Sequence, residues 1–250
     1  MRCTIPTDGD GNILTMDDDE IEQIYNQTRE HLNKAKESLR QAIQKSVPLL
    51  EGAITNNVIP GHIYEEFDFG TYKEDTFAVL FVDMRSSTRR AQRIGAKKTF
   101  LTMHIFIPAL LQVIKHYDGF VIDIMGDGIM VLFKNDATVI NRAAFCGLDI
   151  LKAKDQVINK ILQEEGIETV SIGIGITYGD VIVTKIGIHS IYDVKVFGDC
   201  VNSASKYSNG ENVIKVSQEV ENGWPSSPEG RIRFEGPEEN GSLEVIIPRS

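Results

Sequence analysis

The sequence predicts an α+β fold, with helices packed on a mainly antiparallel sheet. Two observations lead there. Short apolar, β-rich runs (TFAVLFVDM, GFVIDIMGDGIMVLF, TVSIGIGITYGDVIVTKIG) alternate with stretches of helical periodicity. The resulting order, β-α-α-β-β-α-β-β followed by further mixed elements, folds successive strands into hairpins instead of separating each by a crossover helix. That pattern is of the ferredoxin-like kind.

Taken in order, residues 1–16 are polar and glycine-containing and are expected to be mobile. From Asp17, the residues Ile21, Ile24, Tyr25, Leu32, Ala35, Leu39, Ala42 and Ile43 recur at helical spacing behind acids that suit a helix N-terminus. The stripe is narrow, so this helix is expected to dock on the main domain or on a partner helix. Gly52, Pro60 and Gly61 mark a connector. TFAVLFVDM reads as a buried strand, and residues 86–116 as two helical stretches joined near Gly95. GFVIDIMGDGIMVLF reads as two strands folded back at Gly126-Asp127-Gly128, with the glycines supplying positive φ. Residues 137–163 read as one helix, TVSIGIGITYGDVIVTKIG as a hairpin turning at Gly179, and VNSASKYSNG as a helix ending at Gly210. Beyond residue 222, loops separate short strands.

The 250 residues are 42% hydrophobic and 25% charged, enough for one good core with a helical appendage. Lys and Arg number 26 against 36 Asp and Glu, a net charge of -10 that repels nucleic acid and anionic membrane surfaces. Any phosphate chemistry therefore needs local cations or bound metal. Cys3, Cys146 and Cys200 are odd in number and lack a CxxC, which argues against a disulfide framework and a zinc site and points to the cytoplasm. The start, MRCTIPTDGDGN, has no apolar signal region, and no stretch reads as the ~20 apolar residues of a membrane span. His31, His62, His104, His116 and His189 show no metal-ligand spacing. Cys200, with no histidine nearby in sequence, reads as a packing residue.

Three segments carry candidate chemistry. Asp83 ends the apolar strand directly after AVLFV, and Asp127 sits at a hairpin tip. If those strands are neighbours, both carboxylates emerge at one end of the sheet. With no basic residue beside them they repel each other unless a cation lies between, and hard oxygen ligands suit Mg²⁺ or Mn²⁺. Asp127 also fits a plain turn, and Asp83 a helix cap. Ser86, Ser87 and Thr88 in MRSSTRR lead into a helix, where backbone N–H groups and hydroxyls make a phosphate cradle or, equally, an ordinary N-cap. In VFGDCVNSASKYSNG, Asn202 and Lys206 lie four apart on one helix face, an amide beside a cation that suits developing negative charge on phosphorus or a solvated surface.

Together, FVDMRSST, DIMGDGIMVLF and YDVKVFGDCVNSASKY resemble the class III nucleotidyl cyclase catalytic domain over roughly residues 75–220, in the same order and at similar spacing. Within that family the chain looks most like the bacterial pyrimidine cyclases of antiphage signalling. The resemblance implies a helical segment at 1–60 and a catalytic domain at 61–250. It implies two divalent ions, Mg²⁺ or Mn²⁺, held by Asp83, Asp127 and the Met84 carbonyl, and phosphates cradled between Met84 and Thr88. Asn202 would orient the ribose, and Lys206 would stabilise charge at the α-phosphate. Lys206 stands where cyclases typically carry arginine, which keeps the charge but loses the bidentate fork. The family's further phosphate-binding lysine has no clear counterpart. The resemblance also implies a head-to-tail homodimer, with the metal aspartates from one subunit and the base-selecting residues and Asn202 from the other.

By the same resemblance, Asp123 and Lys195 occupy the two base-selecting positions. Adenylate cyclases carry lysine at the first and aspartate at the second; here the two are exchanged. A carboxylate accepts and an ammonium donates, so the pair fits an N–H beside a carbonyl, as on uracil or guanine, and mismatches cytosine and adenine. Each unpaired buried polar group costs about 1–3 kcal/mol. The alternative is that the two side chains simply form an ion pair with each other. The expected reaction is UTP to 3′,5′-cyclic UMP and pyrophosphate, a second-messenger synthesis in antiviral defence. A guanylate cyclase, a CTP-using pyrimidine cyclase and a catalytically silent nucleotide-binding module are the alternatives.

Overall fold

The computed structural model describes residues 15–42, 68–188, 191–225 and 233–246. Helix α1 (Asp18–Ala42) precedes strand β1 (Tyr72–Met84), helix α2 (Ser87–His116) and strands β2 (Phe120–Met125) and β3 (Gly128–Lys134). Helix α3 (Val139–Ala153) continues through a π-helical stretch, Lys154–Asn159, into α4 (Lys160–Glu164). Then come strands β4 (Ile172–Ile188) and β5 (Ile191–Phe197), helix α5 (Asp199–Tyr207), strand β6 (Val213–Val216), helix α6 (Gln218–Asn222) and strands β7 (Arg233–Glu235) and β8 (Leu243–Ile246). The sheet order is β2-β3-β1-β4-β6-β8-β7, with β5 paired to β4 off this path. Every pairing is antiparallel except β4 with β6. The β2-β3-β1-β4 half, with α2 and α3 as crossovers, is the predicted ferredoxin-like arrangement.

β1 is apolar on both faces because both are covered. Ala78, Leu80 and Val82 join Phe106, Leu110 and Ile150 in one core, while Phe77, Val79 and Phe81 meet Val181, Val194, Val196 and Ala204 in another. α2 bends where expected: Gly95 has φ 80 and ψ 166, so two helical stretches meet there. α2 also corrects one expectation, since it is long and apolar enough by length and composition to cross a membrane. Its Ile105, Phe106, Ala109, Leu110, Val113 and Ile114 are instead buried within the fold.

The hairpin expected at Gly179 is not there. β4 runs unbroken from Ile172 to Ile188, and Gly179 pairs with Phe77 in mid-strand. The glycines of SIGIGITYG serve a different purpose: they let α5 lie directly on the strand. A Cβ on Gly175 would fall 2.0 Å from the Ala204 carbonyl oxygen, and one on Gly173 2.1 Å from that of Ser208. One on Gly179 would meet the Cys200 Cβ at 3.3 Å. Gly175→Ala is therefore expected to cost about 3 kcal/mol, as overpacking against backbone does, and to lower Tm by roughly 6–12 °C. An unchanged melting curve would mean that α5 is not seated this way.

The single helix expected over residues 137–163 is helical throughout but widens into the π-helical stretch, which keeps Val157, Ile158, Ile161 and Leu162 all buried. α1 begins with a reciprocal cap: the Glu20 N–H donates to the Asp17 carboxylate (2.8 Å), and the Asp17 N–H donates to that of Glu20 (2.9 Å). The helix docks on its own chain. Ile21, Ile24 and Leu32 enter the first core, the Tyr25 hydroxyl donates to Glu164 (2.8 Å), and Arg29 pairs with Glu165 (2.8 Å). Met16, expected in a mobile tail, is buried, and its N–H donates to the buried Asp149 carboxylate at 2.6 Å. The rest of that tail, the connector at Gly52, Pro60 and Gly61, and the proposed division at residue 60 lie outside the described residues.

Candidate active site

The register Val82↔Ile129 between β1 and β3 brings Asp83 level with Gly128, the residue after Asp127. Both carboxylates thus emerge at the same end of the sheet. The turn is tighter than expected, since positive φ occurs at Gly126 (φ 67) but not at Gly128. This is a two-residue hairpin loop with glycine at its first position. Gly128 has another use: a Cβ there would stand 3.5 Å from Asp83 Oδ1, so its absence leaves room beside that carboxylate. Asp127 Oδ2 is buried and has no hydrogen-bond partner among the described residues. A buried carboxylate oxygen without a partner is costly and calls for a cation.

A basic residue does stand beside the pair: the Arg85 guanidinium forms an ion pair with Asp83 Oδ2, because residues two apart at a strand end point the same way. Arg85 also donates to the Asn209 carbonyl (3.2 Å), and its Nε is buried without a partner among the described residues. Asp83 and Arg85 share a cleft of about 220 Å³ with Phe81, Met125, Gly128, Ser205, Ser208 and Asn209. The donor set fits a hard divalent ion. Two carboxylates lie at one end of the sheet, Asp83 lining the cleft and Asp127 with a buried oxygen that has no partner among the described residues, and Mg²⁺ takes one or two carboxylates and completes its shell with phosphate oxygens and water. Among the described residues there is no group of three His, Cys, Asp or Glu side chains that could hold a metal ion, so any ion here would rest on two carboxylates together with the substrate's oxygens and water.

Ser86, Ser87 and Thr88 lie at the start of α2. Ser86 is left-handed, at φ 55 and ψ 27, and makes no side-chain capping bond. Ordinary N-capping therefore does not account for it. Such a backbone costs about 1–2 kcal/mol in a residue with a Cβ and tends to cluster at functional sites. Ser86 and Thr88 are exposed, while Met84 is buried through its side chain in the first core.

A bulge accounts for an aspartate inside the apolar strand β2. The β2–β3 register shifts between Val121 and Asp123, so that Asp123 pairs with Met130. Asp123 is thereby turned to the Phe77–Val79–Phe81 face, away from the core beneath α2. There it meets Lys195 from β5, with Nζ 3.2 Å from Asp123 Oδ2. The two base-selecting candidates come together in an ion pair. Sequence reasoning missed a third member: Asp193, two residues before Lys195 on the same strand, holds the same ammonium at 2.7 Å. The available signal was the i, i+2 spacing of opposite charges on a strand.

Asn202 and Lys206 are exposed on α5, whereas Ala204 and Tyr207 are buried. Ser205 of α5 and its C-cap residue Ser208 border the Asp83 cleft, whereas Asn202 and Lys206 are not among the residues that line it. Lys215, the only lysine after Lys206, is buried and tied to Glu238 (2.7 Å) and Asn209 (3.3 Å), which leaves the family's further lysine without a counterpart here too. Cys200 packs under the second core and burial pushes its thiol up, in keeping with a packing role.

A model of the adenylate and guanylate cyclase catalytic domain matches residues 70–239. The chain is 30% identical to a cytidylate cyclase from Staphylococcus aureus over 156 residues, 54% of this chain and 36% of that protein. It is 26% identical to an adenylate cyclase from Anabaena cylindrica over 174 residues, 66% of this chain and 34% of that one. It thus spans about a third of the length of these curated relatives. The crystal structure of the adenylyl cyclase CyaB from P. aeruginosa shares the fold, with a TM-score of 0.63 at 19% identity, covering 72% of this chain and 97% of that one.

Proposed function

The chain belongs to the adenylate and guanylate cyclase catalytic domain family, and from that premise we propose that it converts UTP to 3′,5′-cyclic UMP and pyrophosphate, at sites shared between two copies of the chain. The observation that carries the chemistry is the convergence of Asp83 and Asp127 at one sheet end, with Asp127 Oδ2 buried and unpartnered among the described residues. Asp83, Asp127 and the Met84 carbonyl would hold two divalent ions, Mg²⁺ or Mn²⁺, which when bound acidify the ribose 3′-hydroxyl and offset triphosphate charge. The 3′-oxygen bonds to the α-phosphorus, the bond to the bridging α–β oxygen breaks, and the 3′ proton passes to solvent. Ser86, Ser87 and Thr88 cradle the phosphates through hydroxyls and backbone N–H groups. Asn202 orients the ribose, and Lys206 stabilises charge building on the α-phosphate.

Asp123 and Lys195 read the base. The carboxylate accepts from N3–H of uracil and the ammonium donates to O4. The similarity to a protein named a cytidylate cyclase supports a pyrimidine, and the acceptor–donor order supports its keto member. Pairing between two copies is supported by the exposure of Asn202 and Lys206, and by Ile182, Ile186, Tyr192 and Phe197 exposed on the β4–β5 extension. A second-messenger role in antiviral defence and a cytoplasmic location rest on the narrower resemblance.

The Arg85–Asp83 ion pair favours one other reading, a silent module that binds nucleotide without turning it over. Incubating the pure protein with Mn²⁺ and each of the four nucleoside triphosphates separates the two. The expected outcome is pyrophosphate and a cyclic product, with UTP preferred over CTP and ATP by about tenfold or more. A dominant product from ATP overturns the base assignment, one from GTP moves the assignment to the purine keto base, and no product from any of the four returns the chain to the silent reading.

A further inference from the structure

We propose that Asp193 is a positioning residue for base selection: it fixes the Lys195 ammonium as a preset donor beside the Asp123 acceptor, so that the incoming base finds both groups already arranged. This inference rests on the base reading proposed above and adds to it a residue that reading does not contain.

The geometry is asymmetric. Lys195 Nζ lies 2.7 Å from Asp193 Oδ2 and 3.2 Å from Asp123 Oδ2. The shorter contact comes from a carboxylate that is itself anchored, because Asp193 Oδ1 accepts the Val194 backbone N–H at 2.8 Å. Asp193 is thus a fixed post on β5, and Asp123, on β2, is the looser partner. Consistent with this, Asp193 is the first cause and Asp123 the second of the rise that holds the Lys195 ammonium above its ordinary range.

Counting hydrogen-bonding capacity shows what the post achieves. An ammonium has three N–H donors, and among the described residues two carboxylates face this one. A third donor therefore remains for a base carbonyl. Asp123, an acceptor of about four lone-pair sites that spends one on Lys195, keeps capacity for a base N–H. The ion pair and the base reading, which look like rivals in the sequence, are compatible once a second carboxylate is present.

Without Asp193, a flexible four-carbon stem would have only Asp123 to pair with. The ammonium would then close onto that carboxylate and fill the space the base edge needs. Opening it would draw on binding energy and weaken discrimination between a keto and an amino edge. All three side chains are only partly exposed, at 38% for Lys195, 29% for Asp123 and 40% for Asp193, so their contacts are shielded in part from bulk water.

The test compares Asp193→Ala and Asp193→Glu with the parent chain on UTP and CTP, and measures Kd for both nucleotides by calorimetry so that the ratio is read with or without turnover. Asp193→Ala is expected to raise KM and Kd for UTP about tenfold, the equivalent of one hydrogen bond to a charged group, with kcat within about twofold. The UTP-to-CTP preference should fall by a similar factor, and Asp193→Glu should restore most of both. The inference is overturned if Asp193→Ala leaves the ratio unchanged while Lys195→Ala collapses it, or if only kcat falls. If Asp123→Ala and Lys195→Ala also leave the ratio unchanged, the base reading itself fails and takes the inference with it.

Discussion

Asp83→Ala and Asn202→Ala are each expected to abolish cyclisation when made alone, and to recover about a quarter of parental activity when the two variant chains are allowed to exchange subunits. The first substitution removes a carboxylate proposed to hold a divalent ion, a loss of several kcal/mol or about a thousandfold. The second removes the amide proposed to orient the sugar, a loss on the order of a hundredfold or more. The quarter follows from symmetry: random exchange makes about half of the dimers mixed, and each mixed dimer keeps one intact site of its two. The fold gives the reason to expect this. Asp83 lies in a cleft bordered by Ser205 and Ser208, while the exposed Asn202 is not among the residues that line it. Recovered activity per mixed dimer, read as pyrophosphate release, measures the shared site. No recovery after exchange, with the parent chains re-forming active dimers under the same treatment, would show that each site is built within one chain.

The second large effect concerns the base. Exchanging the pair, Asp123→Lys with Lys195→Asp, is expected to lower kcat/KM for UTP by two orders of magnitude or more and to make ATP the preferred substrate. In the exchanged chain the donor faces the bare ring nitrogen of adenine and the acceptor faces its amino group, whereas uracil would meet acceptor against acceptor and donor against donor. Two mismatched groups at about 1–3 kcal/mol each set the size of the change. Because Asp193 would then face a like charge 2.7 Å from where the ammonium stood, the exchange is best made together with Asp193→Ala. Each single substitution should impair every nucleotide, since it leaves two like groups facing one base edge. Retained UTP preference in the exchanged chain would separate Asp123 and Lys195 from base selection.

These expectations draw on a sequence whose local signals were unequally informative. The bend at Gly126, the kink at Gly95 and the strand ending at Asp83 could be read because each combines a composition cue with a change of periodicity. Gly179 misled, because a glycine that turns a chain and a glycine that clears room for a helix look the same in one dimension; only the contact between α5 and the face of Gly173, Gly175 and Gly179 distinguishes them. The π-helical stretch was hidden for a similar reason, since its buried residues fit an ordinary helical stripe to within one position. In the candidate site, Asp83 and Asp127, and Asp123 and Lys195, were visible as residue types at spaced positions. Arg85 and Asp193 were not, although each lies two residues from a candidate that was named. Their roles depend on which side chains share a face at a strand end or on an outlying strand, and that is set by register and twist. The bulge that turns Asp123 outward was likewise invisible, because one extra residue in a strand leaves no mark on composition.

The proposed cyclisation requires Asp83 and Asp127 to hold divalent ions together. Titration of Mn²⁺ into the protein with a non-cyclisable UTP analogue, followed by the EPR signal of free Mn²⁺, counts those ions without relying on turnover. Two Mn²⁺ per bound nucleotide in the parent chain, falling to none or to the single weakly held ion of the free nucleotide in the Asp83→Asn, Asp127→Asn chain, is the result predicted. An unchanged stoichiometry and affinity in that double variant would contradict it.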